Sequence, residues 1–257
     1  MIVTEKLTKL YGSHRALREV ALDIKKGELF GVLGPNGAGK TTLFSILSGR
    51  VEPSYGIARV SGFDCVRDAK KVKRIVGIVP QDTAAYDLLT AYENMLTFGA
   101  LYGLRGDRLH KRADALLRLV SLHRRAHEAV STYSGGMKHR LNIALGLVHD
   151  PEVVLMDEPT TGLDPLAREE LWDVIRGLKG ANKTVLLTTH YLHEAEALCD
   201  RVAILDEGKI KALGAPRALG DTLEKVYRQC VTADSVARDD QAVAAARAQV
   251  FGGGGGA

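Results

Sequence analysis

Gly34-Pro35-Asn36-Gly37-Ala38-Gly39-Lys40-Thr41, followed by Thr42, is the stretch that decides the fold of this 257-residue chain. It matches G-x-x-x-x-G-K-[ST], and its flanks suit that chemistry: residues 29–33 read as an apolar strand before it and 42–47 as a helix after it. Glycines let backbone N–H groups turn toward phosphate oxygens, and the N-terminus of the following helix adds partial positive charge. In such a loop Lys40 reaches the β- and γ-phosphates of a nucleotide and the Thr41 hydroxyl ligates Mg2+.

Outward from this loop, residues 74–79, 153–156, 184–189 and 202–205 read as further strands alternating with helical patterns, which predicts a mainly parallel α/β sheet. Between Ala91 and His149 the strand signal disappears. Leu109, Ala113, Leu116, Leu117 and Val120 fall at helical spacing there, so the interval reads as a helical lobe inserted into the α/β core. Residues 165–178 form the clearest helix, with Asp164 as N-cap, Pro165 in the first turn, and Leu171, Val174, Ile175 and Leu178 on a face expected to pack on the sheet. Beyond about Gly220 the chain turns Ala/Arg/Asp-rich and ends in Gly252-Gly253-Gly254-Gly255-Gly256-Ala257, a flexible composition with no evident reason to pack.

Composition narrows the function classes. A 46% hydrophobic content suffices for a sizeable core, and 35 Lys+Arg against 31 Asp+Glu is too slight an excess to argue for nucleic acid, so no nucleic-acid partner is expected. A membrane span needs roughly 20 consecutive apolar residues, whereas the apolar runs here have the length of strands. The opening Met1-Ile2-Val3-Thr4-Glu5-Lys6 carries no pattern of a secretory leader. Cys65, Cys199 and Cys230 are far apart and form no Cys-x-x-Cys, as expected of buried or incidental thiols in a reducing cytosol.

The apolar run 153–156 ends in Asp157-Glu158, which puts two acids at the carboxyl edge of the sheet, where open α/β folds bind ligands. Asp157 is expected to hold Mg2+ through its water shell, and Glu158 to orient and polarise the attacking water. An acidic pair also ends many buried strands; it is the phosphate loop that favours the catalytic reading. His190 follows strand 184–189 and so comes to the same edge, where an imidazole can donate to a γ-phosphate. Alone it reads as a surface histidine. Gln81, just past strand 74–79, likewise gains meaning only from its position.

Ser134-Gly135-Gly136-Met137-Lys138 by itself reads equally well as an ordinary helix-start turn. Standing ahead of Asp157-Glu158, it resembles the signature of one family, the ATP-binding cassette (ABC) ATPases, and the resemblance spans about residues 1–219 with the motifs in family order. It implies a P-loop NTPase (RecA-like) α/β core, an antiparallel β subdomain and a helical subdomain at about 91–149, followed by a C-terminal extension over 220–257. ATP and Mg2+ are the implied cofactors. Tyr11 would stack on adenine, and Gln81 would link Mg2+ to a permease contact. Ser134, Gly135, Gly136 and Met137, opening a helical stretch to His149, would form a second anion site for the ATP of a partner subunit. The Thr161-Gly162-Leu163-Asp164 loop would run across that dimer interface, and His190 would be the switch histidine. The implied partners are a second copy of the chain and an integral membrane permease, which would place the protein peripherally on the cytoplasmic side of the cell membrane.

Two departures from the family pattern are informative: Tyr133 stands where the signature has leucine, and Met137 where it has glutamine. Met137 removes any side-chain amide hydrogen bond and leaves the backbone amides. Both changes, with Phe98-Gly99-Ala100-Leu101-Tyr102-Gly103-Leu104 and Leu223-Glu224-Lys225-Val226-Tyr227, resemble drug- and polysaccharide-type exporter ATPases, so export is expected over import. The alternative is a non-transport ABC ATPase or a regulatory ATP-binding module. A chromosome- or repair-type protein needs a coiled coil that residues 42–133 cannot hold, a translation-factor type usually joins two cassettes in one chain, and Glu158 argues against a module without turnover. A GTPase needs Asn-Lys-x-Asp, and Asn182-Lys183-Thr184-Val185 lacks the aspartate. His123 and His127, at i,i+4 spacing around Arg124 and Arg125, read as a solvated helix face rather than a metal site. Lys70-Lys71-Val72-Lys73-Arg74 reads as a solvated face before a strand, with anionic lipid as its alternative ligand.

Overall fold

The computed structural model describes residues 1–219 and 222–231. Strands β1 (Ile2–Tyr11) and β2 (His14–Ile24) form a hairpin, and β3 (Leu29–Leu33) leads through the phosphate loop into α1 (Lys40–Leu47). Next come β4 (Tyr55–Val60), β5 (Phe63–Asp64), α2 (Ala69–Ile75) and β6 (Val76–Val79). The helical lobe holds α3 (Ala91–Leu101), α4 (Gly106–Leu119) and α5 (Gly135–Gly146). Alternation then resumes with β7 (Val153–Asp157), α6 (Pro165–Gly180), β8 (Thr184–Thr189), α7 (Leu192–Leu198), β9 (Arg201–Asp206), β10 (Lys209–Gly214) and α8 (Leu223–Cys230).

The central sheet has the order β10-β9-β3-β8-β7-β6 and is parallel except for β10. Its parallel strands are apolar on both faces because both faces are covered. Leu29 and Leu33, Val154 and Met156, Val185 and Leu187, and Val202 and Ile204 join the core under α3 to α7. Phe30 and Val32, Val153 and Leu155, Leu186, Ala203 and Leu205 join the opposite core, with α1 and the second sheet, whose order is β2-β1-β4-β5 and whose pairings are antiparallel. The period-2 alternation of side chains thus divides each strand between two cores.

The helical lobe forms as expected, and Leu109, Ala113, Leu116, Leu117 and Val120 are all buried. Asp164 caps α6, its carboxylate accepting from the Ala167 N–H at 2.9 Å. Leu171, Ile175 and Leu178 are buried with Trp172, while Val174 is only half-buried.

Four expectations need correction. Arg74 and Ile75 end α2 instead of opening β6, and the basic run is that helix, with Val72 buried beneath its solvated lysines. His123 sits in a short 3-10 turn, so it shares no helix face with His127, whose ring lies 5.1 Å from that of Tyr92. The signature helix ends at Gly146 and does not reach His149. Beyond Gly220, α8 packs after all: Leu223 and Val231 are buried, and Val226, Tyr227 and Cys230 lie against the main core at amphipathic spacing. The glycine-rich end lies outside the described residues.

Of the cysteines, Cys65 and Cys199 are buried and Cys230 half-buried, and all three are free thiols. Burial pushes the Cys65 thiol up to about 12. Cys199 packs on Gly31, where any Cβ would stand 2.8 Å from its sulfur.

The lobe meets the sheet through glycines. A Cβ on Gly77 of β6 would lie 2.2 Å from the Gly146 carbonyl oxygen, and one on Gly146 would lie 2.9 Å from that of Ile78. Backbone cannot yield as a flexible side chain does. Gly77→Ala should therefore cost about 2 kcal/mol of overpacking strain, lowering the thermal midpoint by about 4–8 °C; a midpoint equal to wild type in calorimetry would show that α5 does not press on β6.

Candidate active site

The phosphate loop is shaped by close approach. Gly39 sits at φ 109°, a left-handed conformation, and a Cβ there would lie 2.4 Å from the Ala16 carbonyl oxygen; one on Gly34 would lie 2.2 Å from that of Leu205. Only glycine fits either place. Gly39 is also the N-cap of α1 and supplies no capping side chain, so the first amides of the helix are left for an anion. Lys40, 6% exposed, curls back to donate to the carbonyls of Gly34 (2.6 Å) and Pro35 (3.2 Å). Its ammonium lies 3.6 Å from Glu158 Oε1.

The acids reach this loop along neighbouring strands. Asp157 ends β7 opposite Thr188 of β8, whose hydroxyl donates to Asp157 Oδ1 at 2.6 Å. Asp157 Oδ2 in turn stands 3.5 Å from the Thr41 hydroxyl. The adjacent Glu158 N–H donates to the Thr188 carbonyl (3.2 Å) and hydroxyl (3.0 Å). Glu158 adopts φ 47°, a left-handed conformation costly for a residue with a Cβ, and these bonds hold it there. The residue is 8% exposed, with Oε2 accepting from the Thr161 hydroxyl (3.2 Å) and lying 3.1 Å from His190 Nδ1. An ionised carboxylate only accepts, so Nδ1 carries the hydrogen.

Tyr11, His14, Pro35, Asn36, Gly37, Gly39, Lys40, Thr41, Thr42, Gln81, Asp157 and Glu158 line one open cleft of about 250 Å3. Tyr11, half-exposed at the end of β1, stands at its rim. Thr41, Asp157 and Gln81 bring hydroxyl, carboxylate and amide oxygens to one cleft, the hard oxygen donors that suit Mg2+. Lysine and uncapped helix amides suit phosphate.

Ser134, Gly135, Gly136, Met137 and Asp164 do not line this cleft. Ser134, Gly135 and Asp164 are exposed on a second surface, with Gly136 half-buried and Met137 buried behind them: a Cβ on Gly136 would lie 3.2 Å from Ala167 Cβ, so the starts of α5 and α6 touch. The Ser134 hydroxyl caps α5 by accepting from the Met137 N–H at 3.3 Å. The Met137 side chain is buried beside Arg125, and Tyr133 donates to the Arg125 carbonyl at 2.7 Å, so both departures from the signature serve the core of the lobe.

The residues that sequence reading missed are those that hold the named ones. Thr188 fixes both acids and carries no motif, its only signal being a polar residue at the end of an apolar strand. Glu194, 1% exposed, accepts from the Thr160 hydroxyl (2.8 Å) and the Trp172 indole (3.1 Å), tying the segment after Glu158 to α6 and α7.

The hydrogen bond from His190 is the main influence holding the Glu158 carboxyl below its usual range, with the charges of His190 and Lys40 and the Thr161 hydroxyl adding to it against the pull of burial. A lowered native value stabilises the fold above the unfolded value near 4.3, and that stability is lost as pH falls through the native value. The stability advantage of wild type over Glu158→Gln, measured by denaturant titration, should therefore hold above about pH 5 and shrink as pH falls through the unfolded value and below it. A constant difference would show that the carboxylate is not so held.

The ABC transporter family pattern matches residues 17–161, more than half of the chain. A linearmycin resistance ATP-binding protein of Bacillus subtilis is 42% identical over 228 residues, covering 87% of this chain and 73% of its own. A doxorubicin resistance ATP-binding protein of Mycobacterium tuberculosis is 42% identical over 242 residues, covering 91% and 73%. A Nod factor export ATP-binding protein of Paraburkholderia xenovorans is 43% identical over 215 residues, covering 84% and 71%. Among solved structures, the ATP-binding subunit of an ABC transporter superposes with TM-score 0.80 at 30% identity over 90% of this chain and 99% of its own. A dimeric ATP-binding cassette in a post-hydrolysis state with ADP and Pi gives 0.76 at 29% identity over 84% and 98%. Motifs, fold and relatives agree, and the chain belongs to the ABC transporter family as an ATP-binding, ATP-hydrolysing subunit.

Proposed function

We propose that this subunit drives export through a separate membrane permease, and that two copies close head to tail over two ATP molecules to do so. The observation that carries this reading is the division of the site. The cleft at Lys40 is open and, at about 250 Å3, lies below the roughly 300–1,000 Å3 of an enclosed ligand pocket. The signature surface at Ser134 to Gly136 stands apart from it. Each half supplies what the other lacks: lysine, acids and phosphate loop on one, exposed helix amides on the other.

In the closed pair, the ATP phosphates lie between residues 34–41 of one copy and 134–137 of the other. Asp164 lies on the same surface as the signature, where the loop 161–164 faces the partner. Tyr11 stacks on the adenine. Thr41, Asp157 and Gln81 would hold Mg2+, which neutralises phosphate charge and polarises the γ-phosphoryl group when bound. Glu158 accepts a hydrogen bond from the attacking water, and His190, already bonded to Glu158, turns a donor toward the γ-phosphate. Loss of that phosphate removes the bridge between copies, and like charge favours reopening.

No helix among the described residues is long and apolar enough to cross a membrane. Tyr86 and Leu88, 56% and 91% exposed, stand close after Gln81 and suit permease contact beside the lobe; in this reading the subunit sits peripherally on the cytoplasmic side of the membrane. The names of the resistance and export relatives support outward transport.

Mg-ATP turnover and size-exclusion chromatography test the reading. Glu158→Gln should bind ATP, lose roughly a hundredfold or more of turnover, and accumulate as a dimer; turnover at the wild-type rate by a monomeric variant would overturn the role of Glu158. A Cβ on Gly135 would meet nothing within 4 Å, so Gly135→Asp should leave stability intact. Its carboxylate at a helix start repels phosphate, so ATP-dependent dimerisation should disappear. Undiminished dimerisation would remove α5 from the interface.

A further inference from the structure

The helix that opens at Ser134 also grips its own active site from behind. With Gly146 seated on β6, earlier residues of α5 reach the segments that leave β6 and β7. Asn142 is 2% exposed and makes three hydrogen bonds to the segment around Gln81. Its Oδ1 accepts from the Ala84 N–H at 3.0 Å, and its Nδ2 donates to the carbonyls of Pro80 at 2.8 Å and Asp82 at 3.3 Å. One turn earlier, His139 is hydrogen-bonded to the carbonyl of Pro159, the residue after Glu158. Asparagine is a poor helix former and is expensive to bury unless its amide is used. Here both ends of the amide are used, and every bond goes to main chain flanking Gln81.

From this geometry we infer that Asn142 is a positioning residue for ATP hydrolysis: it fixes the backbone on both sides of Gln81 and so sets how Gln81 meets the metal-bound nucleotide. The inference rests on the proposed function, in which Gln81 holds Mg2+ and the N-terminus of α5 meets the partner's ATP. It adds a physical link between them. A shift of α5 on the partner's nucleotide is carried by Asn142 to Gln81 over two helical turns, without passing through the phosphate loop, so each copy's contact with its partner's ATP adjusts its own metal site.

The test compares Asn142→Ala and the isosteric Asn142→Asp with wild type in the full chain. Asp keeps the acceptor for Ala84 and loses both donors, setting a carboxylate against two carbonyls; it also supplies a second variant should Ala fail to fold. Both should lower kcat roughly tenfold with KM for ATP nearly unchanged, and raise the Mg2+ concentration for half-maximal turnover by roughly tenfold. Amide hydrogen exchange should rise across residues 80–85 and stay level across 34–41. If Asn142 acts through Gln81, its loss adds little once Gln81 is alanine. Wild-type turnover, an unshifted Mg2+ requirement, unchanged exchange at 80–85, or losses that multiply in the double variant would each overturn the inference. Gln81→Ala alone tests the proposed metal role, and the exchange experiment tests the clamp alone, so the two failures are distinct.

Discussion

Strand β8 is the ruler of this molecule. It pairs Leu33 of β3 with Thr189 and Asp157 of β7 with Thr188, so the strand that launches the phosphate loop and the strand that delivers the acids end within one residue of each other. A slip of one residue would turn every side chain to the opposite core, and Asp157 with them. Because both faces of these strands are buried, such a slip would disturb two cores at once. The polar contacts exploit this register: a single threonine, Thr188, reaches the side chain of one acid and the backbone of the next.

The charges of the site are arranged as a chain of alternating sign, from the Lys40 ammonium to Glu158 to the N–H of His190. Lys40 and Glu158 are buried while His190 is exposed, so solvent screens the inner pair least, and a new charge beside it would redistribute the chain. Lys40 is already bonded to the carbonyls of its own loop, so it is held for phosphate without depending on Glu158 alone. The signature surface works differently, presenting amides and a capped helix start with no buried cation among the contacts described. In the proposed dimer, two half-sites of different chemistry would meet one polyphosphate from opposite sides.

The legibility of this fold in its sequence follows burial. Strands β3 and β8 were readable end to end, and β7 and β9 to within one residue at each end, because runs buried on both faces are continuously apolar. The error at Arg74 and Ile75 arose where Ile75, the last residue of a short helix, abuts Val76, the first of a strand, so the β-branched run hid the boundary. Strands β1, β2, β4 and β10 gave no usable alternation. The register of β1 on β2 shifts between Thr4 and Leu7, Leu7 and Lys9, and Lys9 and Leu10, so only the resemblance to a family led to that sheet. Helix α8 was missed because its apolar spacing is short and lies within a polar composition. At the candidate site, Lys40, Thr41, Asp157 and Glu158 are proposed from local spacing, and His190 only from its place after a strand beside them; the structure brings Lys40, Glu158 and His190 together and sets Asp157 beside Thr41. Thr188, Glu194 and Asn142 act across 31, 34 and 62 residues of chain, respectively, and no local pattern announces that.

The chain contains one tryptophan, Trp172, and its indole is bonded to the buried carboxylate of Glu194 that also holds Thr160, two residues beyond Glu158. The molecule therefore carries its own optical reporter: any rearrangement of the segment after Glu158 alters the polarity felt by a lone fluorophore, and the nucleotide cycle can be followed in unlabelled protein without background from a second indole.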